Sequence, residues 1–347
     1  MEHKWKRLMG YYRPYLGLFL SDMFFAILGA GVTLAIPLIV RYITGTVILM
    51  EQGRMMTEVL KLSAVMVALV LVECFCTFYI GYYSHVMGAR IERDLRDEIF
   101  NHYQKLSFSF YDDQKVGQLL SRITSDLFEI TELLHHGPED IVISVIKFAG
   151  SISILLFINF RLGMILLCFI PFIAWFAVVL NRKMKRVFKE NRVRMAEMNS
   201  QIEDSLSGVR VVKSFANEEI EIRKFRQGNQ KFVDNKKKSY RYMGAYHSGL
   251  GAMTTMVTVV IVTVGALAIS GGEMEASDLI TFLLYVNNCT DPIKKLVNFT
   301  EQFQNGYSGY ERFLEILAVQ PDITDDSDAV GADQVKGEII FEDVTFS

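Results

Sequence analysis

Five ionisable side chains stand inside long apolar runs: Glu73, Lys147, Asp291, Lys294 and Lys295. A charge in such a run either pairs with a neighbour or lines a wet pathway, because hydrocarbon solvates it poorly. Glu73 lies thirteen residues after Leu60, Lys147 thirteen before Phe160, and Asp291 thirteen after Asp278. If those ends mark one membrane face, the three sit roughly 20 Å below it at 1.5 Å per residue. Lys294 and Lys295 fall about one turn deeper. The shared depth predicts a polar layer, either paired or lining a cavity, with lysines snorkelling to headgroups as the plainer alternative. The four cysteines (Cys74, Cys76, Cys168 and Cys289) all stand in apolar runs and are expected to be reduced, buried thiols. Cys74 and Cys76 point to different helix faces, and no metal site is expected from them. No G-x-x-x-x-G-K-[ST] phosphate cradle occurs in the chain.

The elements that hold these groups are helices. Of 347 residues, 51% are hydrophobic and 22% charged, and proline is scarce. Mean hydropathy is +0.24. Six runs approach the roughly 20 residues needed to cross a bilayer, at about 16–40, 60–83, 141–160, 162–180, 243–270 and 279–299. The sixth is amphipathic. Residues 1–15, 83–138 and 182–245 carry 27 of the 36 Lys and Arg, which predicts that both termini and two long loops are cytoplasmic in a plasma (inner) membrane. The sixteen methionines are expected mostly in the core.

Residues 1–15 hold Trp5, Leu8, Met9 and Tyr12 at helical spacing, predicting a short helix on the membrane surface rather than a cleaved signal. Met87, Ile91, Leu95, Ile99 and Tyr103 repeat every four residues beyond the second span. Met184, Phe188, Met195, Met198, Ile202 and Leu206 make the apolar stripe beyond the fourth. Two long helical hairpins should therefore project from the membrane, broken at their tips by "SFSFYDDQKVG" and "SLSGVRVVKSFANEE", with Gly117 and Gly208 as turn positions. Val209, Val211, Val212 and Phe215 are apolar at a tip where water is expected, and a free loop would not need them. An acidic linker (318–336) follows, then "KGEIIFEDVTFS" (residues 336–347), where Ile339, Phe341 and Phe346 read as a first strand. A lone strand cannot fold, so the chain is expected to continue in a longer protein.

Together the residues "FYDDQKVGQLLSRITSD" (Phe110–Asp126), "SLSGVRVVKSFANEE" and "GEIIFEDVTFS" resemble the transmembrane domain of an ATP-binding-cassette exporter of the half-transporter type. The resemblance covers nearly the whole chain. It implies an all-α membrane protein: six transmembrane helices (16–317) with long cytoplasmic extensions and two coupling helices that rest on nucleotide-binding domains. Tyr111, Asp112, Asp113, Gln114 and Lys115 match the first coupling helix. Gly208, Val209, Arg210, Val211, Val212, Lys213, Ser214 and Phe215 match the second. It further implies alternating access, a dimer with a second half-transporter, contact with membrane lipids and no nucleic-acid partner. Hydrophobic or amphipathic cargo (drug, lipid or peptide) would leave the cytoplasm. ATP and Mg²⁺ are expected in a nucleotide-binding domain beginning at 337–347, none in this stretch. Leader-peptide processing is not expected of this chain. A six-span channel or a membrane scaffold is the competing reading, although no span carries the spaced arginines of a voltage sensor.

Overall fold

The computed structural model describes residues 2–112, 114–324, 328–329, 337 and 339–345. Helix α1 (Glu2–Gly10) leads through a 3₁₀ turn at Arg13–Tyr15 into α2 (Leu16–Gly45). Pro14 opens that turn, where its missing N–H costs no bond. Helix α3 (Gln52–Tyr79), a π turn at Ile80–Ser84 and α4 (His85–Tyr103) run as one 52-residue rod, about 78 Å long at 1.5 Å per residue. Short α5 (Phe108–Asp112) and α6 (Val116–Ser121) turn the chain, and a second π segment (Arg122–Asp126) feeds α7 (Leu127–Ile158). Asn159 then breaks the helix for a single residue. Its φ of −146° is extended, and its side chain caps α8 (Phe160–Ser207) by accepting from the Leu162 N–H at 3.0 Å. Helix α9 (Val209–Ser214) separates α8 from α10 (Glu218–Ser270), and α11 (Ala276–Leu317) closes the chain.

Five of these rods are long and apolar enough to cross a membrane: residues 4–49, 52–103, 116–158, 160–207 and 218–270. Helix α11 is not among them. Asn287, Asn288 and Asp291 dilute its apolar run, and the structure gives two of its polar groups work. Pro37 inside α2 leaves the Thr33 carbonyl without its intrahelical donor. The Asn288 amide of α11 donates to that carbonyl at 3.4 Å, and the Tyr285 hydroxyl donates to the Leu34 carbonyl beside it. Backbone groups in hydrocarbon must find protein partners, so a polar α11 completes the hydrogen bonding that Pro37 interrupts in α2.

Two cores follow. One gathers Leu155, Leu166, Ile173, Val257, Ile261, Phe282 and Tyr285 from α7, α8, α10 and α11 within the apolar band. The other lies beyond it and joins α1, α4, α7 and α11 through Leu8, Tyr12, Met87, Ile91, Leu95, Ile99, Leu127, Tyr310 and Phe313. In this second core the four-residue stripe of α4 is fully buried from Met87 to Ile99, as the spacing predicts. Water drives this packing, at about 1.5–3 kcal/mol per fully buried large side chain.

Several expectations shift. The stripe of α1 faces protein: Leu8 and Tyr12 are buried, and Trp5 stacks on Phe303 and Tyr307, leaving Met9 exposed. Pro138 in α7 explains the anchor, because it frees the Leu134 carbonyl, to which the Tyr12 hydroxyl donates. Cys76 and Cys289 are buried, but Cys74 and Cys168 lie on outward faces of α3 and α8, surfaces that a bilayer would cover; all four thiols are free. The stripe of α8 is only partly covered, with Met195 and Leu206 exposed. No strand forms among residues 339–345, since a strand needs a partner for its ladder. Phe346 and Asp113 lie outside the described residues.

Candidate functional site

Each hairpin ends in a short helix of its own. At the first tip, α5 carries Tyr111 and Asp112, followed by Gln114 and Lys115 ahead of α6. The Tyr111 hydroxyl donates to the Tyr103 carbonyl at 2.6 Å, which folds α5 back onto the end of α4. Phe108 is 89% exposed and Val116 77%, so the tip presents apolar surface outward. Ser107 and Ser109 both donate to the Asp322 carboxylate, at 2.6 and 2.5 Å. Those bonds, the Ser107 hydroxyl first, hold Asp322 below the ordinary aspartate range. The segment after α11 is thereby tied to the first tip.

At the second tip, α9 spans Val209, Arg210, Val211, Val212, Lys213 and Ser214, with Gly208 before it and Phe215 after. Val211 is 62% and Phe215 71% exposed, while Val212 is half-buried. Two contacts fix the last turn of this helix. Ser214 Oγ donates to the Arg210 carbonyl at 2.8 Å, and Lys213 bridges Glu218 at 2.9 Å across the turn. The Lys213 ammonium holds the Glu218 carboxyl below its usual value. Gly208 is the turn residue between α8 and α9, but it is not where the backbone turns left-handed. Gly208 has φ of −85°, Gly117 sits inside α6, and the left-handed position belongs to Ala216 at φ 50°. The break in α8 needs only a relaxed helix end at Gly208, whereas the reversal into α10 needs a positive φ one helix later.

The tips are held by rigid arms. Asn235 Nδ2 donates to Asn191 Oδ1 at 2.8 Å, and Asn191 in turn donates to Ser239, so α8 and α10 are cross-linked by amides midway along the second hairpin. The first hairpin is locked to α11 by Arg312, which donates to both oxygens of Asp126 at 2.7 and 2.6 Å. Gly306 and Gly309 let α11 approach: a Cβ at 306 would lie 2.7 Å from the Glu129 carbonyl oxygen, and one at 309 would lie 2.9 Å from that of Asp126. Arg312, Asp322, Gly306 and Gly309 escape sequence reasoning because their partners are distant in the chain. Asp126 ends the first tip motif, which was its only signal.

The polar layer divides. Lys294 pairs with Asp291 at 2.9 Å within α11, and Lys295 reaches Asp140 of α7 at 2.7 Å. Glu73 and Lys147 are half-buried on α3 and α7, and neither makes an ion pair among the described residues. Lys295 and Asp140 line an open groove of about 380 Å³ between α7 and α11, together with Glu132, Phe299 and Gln302. The layer therefore holds one interhelical pair beside an open groove, with Lys147 within electrostatic reach of Glu73, Lys295 and Asp291 but in direct contact with none of them.

Residues 19–293 match the family described as the ABC transporter transmembrane region. An uncharacterized ABC transporter ATP-binding protein of Bacillus subtilis, YwjA, is 33% identical over 341 residues, covering 98% of this chain and 59% of the relative. An ATP-dependent lipid A-core flippase of Syntrophus aciditrophicus is 24% identical, covering 99% and 56%. A human ABC-type oligopeptide transporter is 26% identical, covering 99% and 44%. The chain thus spans less than three fifths of each of these relatives.

Proposed function

Because the chain belongs to the ABC transporter transmembrane region family, we propose that it is the membrane half of an ATP-driven exporter that works as a dimer by alternating access. The tips face the cytoplasm, where soluble nucleotide-binding domains receive them. The single observation carrying this reading is the pair of short tip helices, α5 and α9, each offering exposed apolar side chains at the end of a rod tens of ångströms long. An apolar patch held rigidly in water fits a docking surface.

The chain's own residues supply the transmission. A push on α9 travels along α8 and α10 as a unit because Asn191, Asn235 and Ser239 prevent them from sliding. A push on α5 reaches α7 and α11 together through Asp126 and Arg312. Rigid rods convert tip displacement into rotation of the spans, which is a hinge-like change of access. All six rods are read as spans, with α11 the polar one. The cargo is hydrophobic or amphipathic. This class accommodates relatives named for multidrug export, lipid A-core flipping and oligopeptide transport. The groove at Lys295 and Asp140 and the half-buried Glu73 and Lys147 are the polar contacts available to it.

The test is site-directed cross-linking in the full-length protein, with cysteine at Ser214 in a background lacking Cys74, Cys76, Cys168 and Cys289. Cross-links to a nucleotide-binding domain are expected, and Val211→Asp should lower transport in vesicles at unchanged ATP binding. Absence of any Ser214 cross-link, together with full transport by Val211→Asp, rejects the reading. Glu73→Gln should reduce substrate-stimulated activity without affecting insertion; unchanged transport removes Glu73 from the pathway.

A further inference from the structure

Where the apolar runs give way to the extensions, three imidazoles meet. His85 is the first residue of α4, directly after the π turn, and His135 and His136 sit one behind the other on α7. Their ring centroids lie 4.2–5.0 Å apart, and one nitrogen of each lies within 4.8 Å of those of the other two.

His135 is 4% exposed. Its Nδ1 stands 2.5 Å from the Thr131 carbonyl oxygen. A carbonyl only accepts, so Nδ1 carries the hydrogen and Nε2 holds a lone pair. That Nε2 is buried and has no hydrogen-bond partner among the described residues. A buried acceptor left without a donor costs about 1–3 kcal/mol, and a ring fixed through Nδ1–H to a backbone carbonyl is how metal-binding histidines are held. Two carboxylates flank the group. Glu132 lies 3.7 Å from His135 Nε2 and 3.8 Å from His136 Nε2, and Glu139 lies 3.9 Å from His136 Nδ1 with one oxygen buried and unpartnered. Space is reserved for the cluster as well: a Cβ at Gly88 would stand 2.8 Å from His135 Nδ1.

From this geometry we propose that His85, His135 and His136, completed by Glu132 or Glu139, bind one divalent transition-metal ion of the Zn²⁺ class and clasp α4 to α7. Three imidazoles and a carboxylate form a nitrogen-rich set suited to such an ion rather than to Mg²⁺ or Ca²⁺. Tetrahedral ligation at about 2.0–2.1 Å needs ligand nitrogens about 3.4 Å apart. His85 is the exposed member, and a side-chain rotation there would close that distance. The site does not depend on the export reading.

The experiment is equilibrium dialysis of tag-free, detergent-purified full-length protein, stripped with chelator and then exposed to buffered Zn²⁺. The wild type should hold about one Zn²⁺ per chain more than His85→Ala/His136→Ala. At equal free Zn²⁺, the variant's occupancy of this site should fall at least tenfold. Co²⁺ should give the visible absorption bands of a tetrahedral site in the wild type only. His85→Ala alone, at an exposed position, repeats the comparison if the double variant misfolds. Equal retention by wild type and variants, or Co²⁺ spectra that the histidine changes do not alter, overturns the proposal.

Discussion

The Asp126–Arg312 pair can be cut so that the sign of the outcome reports on the reasoning. Asp126 is buried, with its side chain 10% exposed, whereas that of Arg312 is 43% exposed. Removing one member of a fully buried pair costs about 3–5 kcal/mol. An exposed pair contributes about 0.2–1 kcal/mol. With one partner dry and the other half in water, Arg312→Gln should cost about 2 kcal/mol, because it strands a carboxylate that cannot move to solvent. Asp126→Asn should cost less, about 1 kcal/mol, since Arg312 can turn outward. The double variant should then be more stable than Arg312→Gln alone, because no buried charge is left. The assay is thermal melting of the detergent-purified protein, read as a double-mutant cycle. Additive losses to within about 0.5 kcal/mol would show that the two groups are independent, and would refute the argument that this pair locks the first hairpin to α11.

Four further outcomes are expected. Asn288→Leu should destabilise the protein by about 0.6–1.7 kcal/mol by orphaning the Thr33 carbonyl, and should be nearly neutral in a Pro37→Ala background, both read by melting. Ala216→Gly should stabilise by about 1 kcal/mol, because φ of 50° is strained for any residue with a Cβ; a loss of stability on melting would contradict the left-handed turn. Gly306→Val should cost about 1–3 kcal/mol by overpacking α11 against α7. Asp322→Ala should speed hydrogen exchange at Ser107–Asp112 at pH 7. Since its folded carboxyl titrates below the unfolded value of 3.8, the wild-type link is fully present above that pH and lost only as pH falls through the lowered value; unchanged protection between pH 7 and 5 is the check.

Much of the fold was legible because helical periodicity is local. The four-residue stripe of α4 needed no partner to be recognised, and its burial from Met87 to Ile99 follows. The tips were legible for a related reason: apolar Val211 and Phe215 interrupt two charged runs, and a helix of fixed rise must turn somewhere. The polar layer was only half legible. Depth can be counted along a helix, but rotation about its axis cannot be compared between helices. Asp291, Lys294 and Lys295 found ion-pair partners, whereas Lys147 lies within electrostatic reach of Glu73, Asp291 and Lys295 without a direct bond to any of them. Gly208 marks the break between α8 and α9, but glycine only permits a positive φ, and at the second tip the chain imposed that φ on Ala216 instead.

Residue order alone determined which segments are apolar rods, how long they are and where they break, since each follows from neighbours within a few positions. The tertiary structure decided what those rods do to one another. It set Asn288 against the carbonyl freed by Pro37, Arg312 against Asp126, Asp322 against the first tip, and His85 against His135 and His136. Each pairing joins residues tens to hundreds of positions apart. Each depends on the relative rotation and approach of packed helices, quantities that no local pattern encodes.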